Sequence, residues 1–260
     1  MRVAVVQTDP VFADVRGNVE RAIALMGSER ADLYVLPELF STGYNFVDAA
    51  EASSLAEPAS GPTCQAVAHF AAATGAHVVY GFAERADAVY NSAALVGPGG
   101  LVGVYRKVHL YYKETTLFAP GNVGFPVFRL PFGVVGIMVC FDWLFPESAR
   151  SLALAGAELI AHPSNLVMPH CPDAMVTRCL ENRVFSATAN RVGAEDRGGV
   201  ALSFIGKSEI VTPKGEILAR LGTNAPGIAM REVDLASARS KRINQYNDLF
   251  ADRHPGHYLR

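Results

Sequence analysis

The sequence predicts an α/β fold made as a single domain, and three observations predict it. Short apolar runs of strand length alternate with segments of helical periodicity along most of the chain. The strand-like runs are apolar almost throughout, which is the pattern of strands buried on both faces. No linker rich in Gly, Pro or Ser divides the 260 residues, half of which are hydrophobic. One core of useful size is therefore within reach without disulfides.

The elements follow in order. RVAVVQ (2–7) reads as a strand, and VERAIALM (19–26) spaces Val19, Ala22, Ile23 and Met26 as one helix face. DLYVLP (32–37) is a second strand. After Gly61-Pro62, residues 63–74 set Val67, Phe70 and Ala71 on one helical face. HVVYGFAE (77–84) is a strand, and NSAALVG and LVGVYR flank the Gly-Pro-Gly-Gly of a hairpin at 97–100. In the second half PVFRLP leads into VVGIMV (134–139), a strand. Pro146 opens a helix that runs to about Gly156. ELIAHP (158–163) is a strand, PDAMVTRCLENRVF (172–185) a helix, and FSATANRV a strand. SEIVTPKGEIL makes a hairpin and GIAMREVDL a last strand. The tail from Ser240 is polar and aromatic.

Composition narrows the function. A formal charge of −2 offers no electrostatic footprint for nucleic acid or an anionic membrane. No stretch approaches the length of a membrane span, and the N-terminus is a strand rather than a signal peptide. The protein is expected in the cytoplasm. Its cysteines, Cys64, Cys140, Cys171 and Cys179, show no zinc spacing, and free thiols are expected. No metal or organic cofactor is expected. The absence of a G-x-G-x-x-G or Walker glycine run argues against a nucleotide binder.

Three reactive side chains share one structural position. Glu38 follows DLYVLP, Lys107 follows LVGVYR and Cys140 follows VVGIMV. Ligands of open α/β sheets bind beyond the carboxyl ends of strands, so an acid, a cation and a thiol can meet there. Their joint chemistry is definite. Glu38 can take the thiol proton, the thiolate can attack a carbonyl or nitrile carbon, and Lys107 with the backbone N–H of Phe141 can stabilise the oxyanion. Each residue also has an ordinary structural reading. Cys140 is then a small core hydrophobe, Lys107 a surface lysine, and Glu38 a loop carboxylate.

PELFSTGYNF (37–46), YRKVHLYYKE (105–114) and CFDWLFPESAR (140–150) resemble the three motif blocks of the nitrilase superfamily of carbon–nitrogen hydrolases. HPSNLV (162–167) and ENRVF (181–185) also look like family segments, and the likeness runs over nearly the whole chain. The resemblance implies a four-layer α-β-β-α sandwich, a Glu-Lys-Cys triad at Glu38, Lys107 and Cys140, and a second glutamate at Glu114. It also implies a homodimer or larger homo-oligomer, with the tail from about residue 240 at a subunit interface. The alternative is that the tail packs on its own subunit. The version of the third block, CFDWLFPE, resembles the amidase-like branch.

The expected activity is hydrolysis of small amides to carboxylic acid and ammonia through a cysteine thioester. Nitrile and N-carbamoyl hydrolysis at the same site are the alternatives, and a non-catalytic scaffold is a remote one. Tyr44, Trp143, Phe145 and Asn165 are expected around the substrate, with Leu166 and Val167 beside them. His109 and His162 are read as structural hydrogen-bonding residues, since the resemblance gives the base role to glutamate. No arginine follows HPSNLV before Arg178, which counts against a carbamoyl-amino-acid substrate.

Overall fold

The computed structural model describes residues 1–258. β1 (Arg2–Gln7) leads to α1 (Val15–Gly27), whose start is capped by the Asp14 side chain accepting from the Gly17 N–H. β2 (Leu33–Val35), α2 (Ala49–Leu55) and α3 (Pro62–Thr74) follow. β3 (His77–Arg85), β4 (Val89–Gly97) and β5 (Gly100–Arg106) form a meander, and α4 (Glu114–Leu117) is a single turn. The second half starts with β6 (Val127–Leu130) and β7 (Gly133–Ile137). A 3-10 turn over Cys140–Leu144 then precedes α5 (Pro146–Leu154). β8 (Leu159–Pro163), α6 (Cys171–Asn182) and β9 (Phe185–Ala189) come next. A small hairpin, β10 (Ala194–Arg197) and β11 (Val200–Ser203), is followed by β12 (Glu209–Val211), β13 (Ile217–Arg220) and β14 (Gly227–Glu232).

The strands form two six-stranded sheets, ordered β14-β1-β2-β3-β4-β5 and β6-β7-β8-β9-β12-β13. Each has three parallel strands at its centre, β1-β2-β3 in one and β7-β8-β9 in the other, with antiparallel strands outside them. The halves of the chain thus repeat one topology. The chain closes by returning β14 to β1, with Arg2 opposite Glu232 and Gln7 opposite Gly227.

Side-chain alternation assigns the layers. Val3, Val5, Leu33 and Val35 share one buried cluster with Val135, Ile137, Leu159 and Ala161 of the other sheet. Their neighbours Ala4, Val6, Tyr34 and Leu36 point the opposite way, onto Val19 and Met26 of α1 and Val67 and Phe70 of α3. On the second sheet α5 and α6 take that outer position through Leu152, Ala153 and Met175. The order is helix, sheet, sheet, helix, the four-layer sandwich expected. It also explains why the strand segments are apolar at every position.

The structure amends several sequence boundaries. α1 begins four residues before residue 19, because Asp14 supplies the cap. The strand expected over 134–139 stops at Ile137, where the chain turns toward Cys140. The helix expected over 172–185 ends at Asn182. Arg183 takes a left-handed conformation (φ 47°) that stops it, and Phe185 opens β9. α2, α4 and the β10–β11 hairpin were not expected. They are short, and none has the length over which periodicity can be read. The start of the tail is anchored through Lys241. Lys241 Nζ donates to the Asn182, Arg183 and Ala238 carbonyls at 3.1, 2.9 and 2.8 Å, while Tyr246 stays 82% exposed.

Leu33 is fully buried between the sheets. Leu33→Ala is expected to lower unfolding free energy by roughly 2–5 kcal/mol, measured by urea denaturation. A loss below that range would mean that the inter-sheet layer collapses around the cavity.

Candidate active site

The three expected strand ends do converge, but between the two sheets rather than along one. Glu38 lies just beyond β2 and Lys107 directly beyond β5, both in the first sheet, while Cys140 follows β7 in the second. The backbone at Glu38 runs so close to β3 that only glycine fits opposite it. A Cβ on Gly81 would stand 2.5 Å from Glu38 Cα. The Gly81 N–H bonds the Pro37 carbonyl and its own carbonyl accepts from Phe40, which locks the loop in register.

Lys107 is the hub. Its ammonium, fully buried, donates to Glu38 Oε1 at 2.6 Å and to Glu114 Oε1 at 2.8 Å. Asn91 Nδ2 adds a bond of 2.7 Å to the same Glu38 oxygen. Glu114 also accepts from the Tyr44 hydroxyl at 2.5 Å and from the Tyr111 N–H at 3.1 Å. Glu38 Oε2 is buried with no partner among the described residues. Asn91 escaped the sequence reading. The only signal was a polar residue inside the strand YNSAALVG, at a position a strand normally fills with an apolar side chain.

Cys140 begins the 3-10 turn with φ 41°, a strained left-handed value for a residue with a Cβ. Asp142 holds that turn. Its Oδ2 accepts from the Val139 N–H at 2.8 Å and from the Tyr105 hydroxyl at 2.6 Å. Its Oδ1 accepts from the His109 N–H at 3.2 Å and lies 2.8 Å from His109 Nδ1. A carboxylate only accepts, so His109 Nδ1 carries the proton. The lysine loop and the cysteine turn are therefore tied through one buried acid. His162 braces the turn from the other side, donating from Nε2 to the Cys140 carbonyl at 3.0 Å and facing Thr188 Oγ1 at 3.1 Å through Nδ1. Both histidines have the structural hydrogen-bonding positions expected of them.

The electrostatics follow from burial. Desolvation, opposed by Lys107 and reinforced by Glu114, raises the Glu38 carboxyl to about 6. Burial alone would depress Lys107, but Glu114 and Glu38 overcome it and hold the ammonium above its ordinary range. Burial and then Glu38 push the Cys140 thiol well up, against Lys107 and the Asn165 N–H. The resting state is a neutral thiol beside a charged lysine. Burial lowers His162 to about 4, so its ring is neutral.

A small cavity opens at Cys140. It is lined by Tyr111, Phe141, Trp143, Asn165, Leu166, Val167 and Met168, and encloses about 20 Å³, near the space of one water molecule. Trp143 and Asn165, expected around the substrate, line the cavity at Cys140 together with Leu166 and Val167. Both polar atoms of the buried Asn165 side chain lack a partner among the described residues. Phe141 follows the cysteine in the first turn of the 3-10 helix, where an N–H has no partner within the helix. Tyr44 reaches Glu114 rather than this cavity. Phe145 stacks on His109 with ring centroids 3.6 Å apart and stands edge-on to Phe141, one step behind the lining. Tyr111 and Met168 were not anticipated. Among the described residues no group of three or more His, Cys, Asp or Glu side chains could hold a metal ion, and no helix is long and apolar enough to cross a membrane.

A two-sheet sandwich with a buried Glu-Lys-Glu cluster beside a strained cysteine defines a class of hydrolase, and comparison with known proteins names it. The carbon-nitrogen hydrolase family model matches residues 2–243, and the chain belongs to that family. It is 48% identical over 265 residues to a nitrilase from Pyrococcus abyssi (strain GE5 / Orsay), covering all of both chains. An amidase from Nesterenkonia sp. has a crystal structure that superposes with a TM-score of 0.80 at 27% identity, covering 98% of this chain and 94% of that one. A mutant of the Nesterenkonia sp. AN1 amidase, at 28% identity and a TM-score of 0.77 over 93% of this chain and 96% of that one, shows Michael addition of acrylamide at its active-site cysteine. The chain is a nitrilase-superfamily carbon–nitrogen hydrolase.

Two predictions come from this geometry. Asp142→Ala strips the partners from Tyr105 and His109 and frees the Cys140 turn. It is expected to cost roughly 2–5 kcal/mol, at about 1–3 kcal/mol for each buried group left unpaired. It should also slow Cys140 alkylation by iodoacetamide, followed by intact mass. His162 gives a pH signature. Its ring protonates near 4 when folded against 6.5 as a free side chain, so the unfolded state binds more protons between those values. The stability it permits is complete above pH 6.5 and is lost as pH falls toward 4, by roughly 3 kcal/mol in all. Urea titrations at pH 4.5 and 7 should therefore show a smaller difference for His162→Gln than for the wild type.

Proposed function

We propose that the protein hydrolyses the C–N bond of small amides through a thioester on Cys140. The observation that carries this reading is the half-used carboxylate of Glu38. One oxygen is saturated by Lys107 and Asn91, while the other is buried, unpartnered and poised near neutral pH. In this reading Glu38 takes the thiol proton as the sulfur attacks the carbonyl carbon, and the C–S bond forms as the carbonyl π pair moves to oxygen. An ammonium has three protons. Lys107 commits two to Glu38 and Glu114, which leaves one for the oxyanion beside the Phe141 N–H. Protonated Glu38 returns its proton to the amide nitrogen, the C–N bond breaks and ammonia leaves. A water molecule, deprotonated by Glu38, then attacks the thioester and releases the acid and the thiol. Glu114 keeps Lys107 in place and charged throughout.

The cavity favours small acyl groups, because it encloses only about 20 Å³ between the aromatic rings of Tyr111, Phe141 and Trp143 and the side chains of Leu166, Val167 and Met168. Arg178 is engaged by the Trp143 carbonyl at 3.2 Å and by Glu181 at 2.9 Å, so it is not free to meet a carbamoyl-amino-acid carboxylate. Nitrile hydrolysis is the second reading, favoured by the Pyrococcus abyssi relative's name. The same thiolate adds to a nitrile carbon, and two water molecules replace one. Self-association is a further proposal, tested by sedimentation.

Ammonia release from a panel of amides, nitriles and carbamoyl compounds tests the assignment. Release from small amides is expected, with kcat/KM falling on the acid side with a midpoint near pH 6, the Glu38 value. Cys140→Ala should abolish release, and release that survives it would overturn the mechanism. Nitriles outrunning amides would establish the second reading.

A further inference from the structure

We infer that Glu195, held by Arg191, is a positioning residue: it clamps the Gly43–Asn45 turn so that the Tyr44 hydroxyl is delivered onto Glu114. The inference rests on the reading that Glu114 and Lys107 serve C–N hydrolysis. It starts from the β10–β11 hairpin, which pairs with neither six-stranded sheet. Glu195 lies in this hairpin and is 7% exposed. Its carboxylate accepts from two consecutive N–H groups of the first half of the chain, Tyr44 at 3.2 and 3.1 Å and Asn45 at 2.6 Å. Arg191, buried to 1% exposure, pairs with Glu195 Oε1 through Nη1 and with the Pro10 carbonyl at 3.3 Å through Nη2. The turn itself is shaped to fit. Gly43 has φ 83°, and a Cβ there would come within 2.9 Å of Glu195 Oε1.

Further contacts fix the hairpin on the same loop and on α2 after it. Asn45 Nδ2 donates to the Val200 carbonyl at 2.7 Å, and Arg197 forks onto Glu51 at 2.9 and 2.7 Å. The Arg191 guanidinium lies 4.0 Å over the Phe204 ring, and Phe204 meets the Tyr44 ring edge-on at 6.0 Å. The output of this assembly is one bond, from the Tyr44 hydroxyl to Glu114 Oε1 at 2.5 Å. The other donors to Glu114, Lys107 and the Tyr111 N–H, belong to Glu114's own segment. Lys107 bridges Glu114 to Glu38 through its ammonium, and the Tyr44 hydroxyl makes the one direct hydrogen bond among the described residues from the Glu38 loop to Glu114. A buried ion pair is poor value as a stabiliser, since desolvation can exceed the Coulombic gain. A pair whose acceptor sites are spent on the N–H groups flanking the Tyr44 side chain has a positional use.

The test is a double-mutant cycle on the whole protein with Tyr44→Phe, Glu195→Gln and their combination, read two ways. The first is kcat and KM for the best amide of the panel. Each single change is expected to lower kcat about 10- to 100-fold, the usual cost of losing an orienting partner, with KM moved much less. The double variant should lose no more than the worse single, because both break one path. The second readout is the rate of Cys140 alkylation by iodoacetamide across pH, which needs no substrate. If the wild type turns over nothing, the functional reading fails by itself and the alkylation cycle still decides this inference. Losses that multiply, or a folded Glu195→Gln with wild-type kcat and alkylation profile, would overturn it. Should Glu195→Gln not fold, Glu195→Asp keeps the charge opposite Arg191 and withdraws the carboxylate from the turn. A wild-type rate in that variant would overturn it equally.

Discussion

The rest of the site depends on burying one ammonium between two carboxylates. Lys107, Glu38 and Glu114 are all buried away from bulk solvent. Taking such groups out of water costs several kcal/mol each, and Coulombic attraction returns that only where geometry is tight and remaining valences are filled. Each surrounding contact meets this demand. Asn91 and Lys107 fill one Glu38 oxygen, and Tyr44 and the Tyr111 N–H fill Glu114. The cluster carries one net negative charge. That residual charge, with burial, keeps the Cys140 thiol protonated at rest.

Such a cluster needs walls that keep bulk water out, and the two-sheet sandwich supplies them. Each sheet is apolar on its inner face over the three parallel strands, and each is covered outside by helices. The two sheets share one strand order, so the second strand of each ends near the site: β2 leads to Glu38 and β8 leads to Asn165. Acid and pocket wall are in this sense equivalent positions of a repeated unit. The cysteine comes from a different place, the end of the first strand of the second unit. It needs its own brace, and Asp142 and His162 provide it from opposite sides.

The parts of this arrangement that lay open in the sequence are those with a local cause. The parallel strands were legible because burial on both faces makes them apolar at every residue. Glu38, Lys107 and Cys140 were legible because a reactive residue at a strand end stands out against such a run, and three motif blocks joined them. What stayed hidden is set by contacts between distant segments. Asn91 looked like an ordinary strand polar residue until Glu38 was placed opposite it across 53 positions. Tyr44 and Phe145 were expected at the substrate, yet one bonds Glu114 and the other stacks on His109, because loop geometry decides where a ring goes. The β10–β11 hairpin is four residues a side and half exposed, with no period to read.

The distribution of polar partners has a mechanistic consequence. Asp142, His109 and Glu114 are all bonded within the folded scaffold, which fixes their positions before a substrate arrives. The groups left with spare capacity are few: one oxygen of Glu38, one proton of Lys107, the Phe141 N–H and the Asn165 side chain. Each is what a tetrahedral adduct on Cys140 would require, namely a proton acceptor, two oxyanion donors and a polar wall. A preorganised site does its work when the unsatisfied groups are those the transition state satisfies. The reaction then needs no reorganisation of the charged cluster. In the proposed mechanism the proton moves between Cys140, Glu38 and the leaving nitrogen while Lys107 stays charged and stationary.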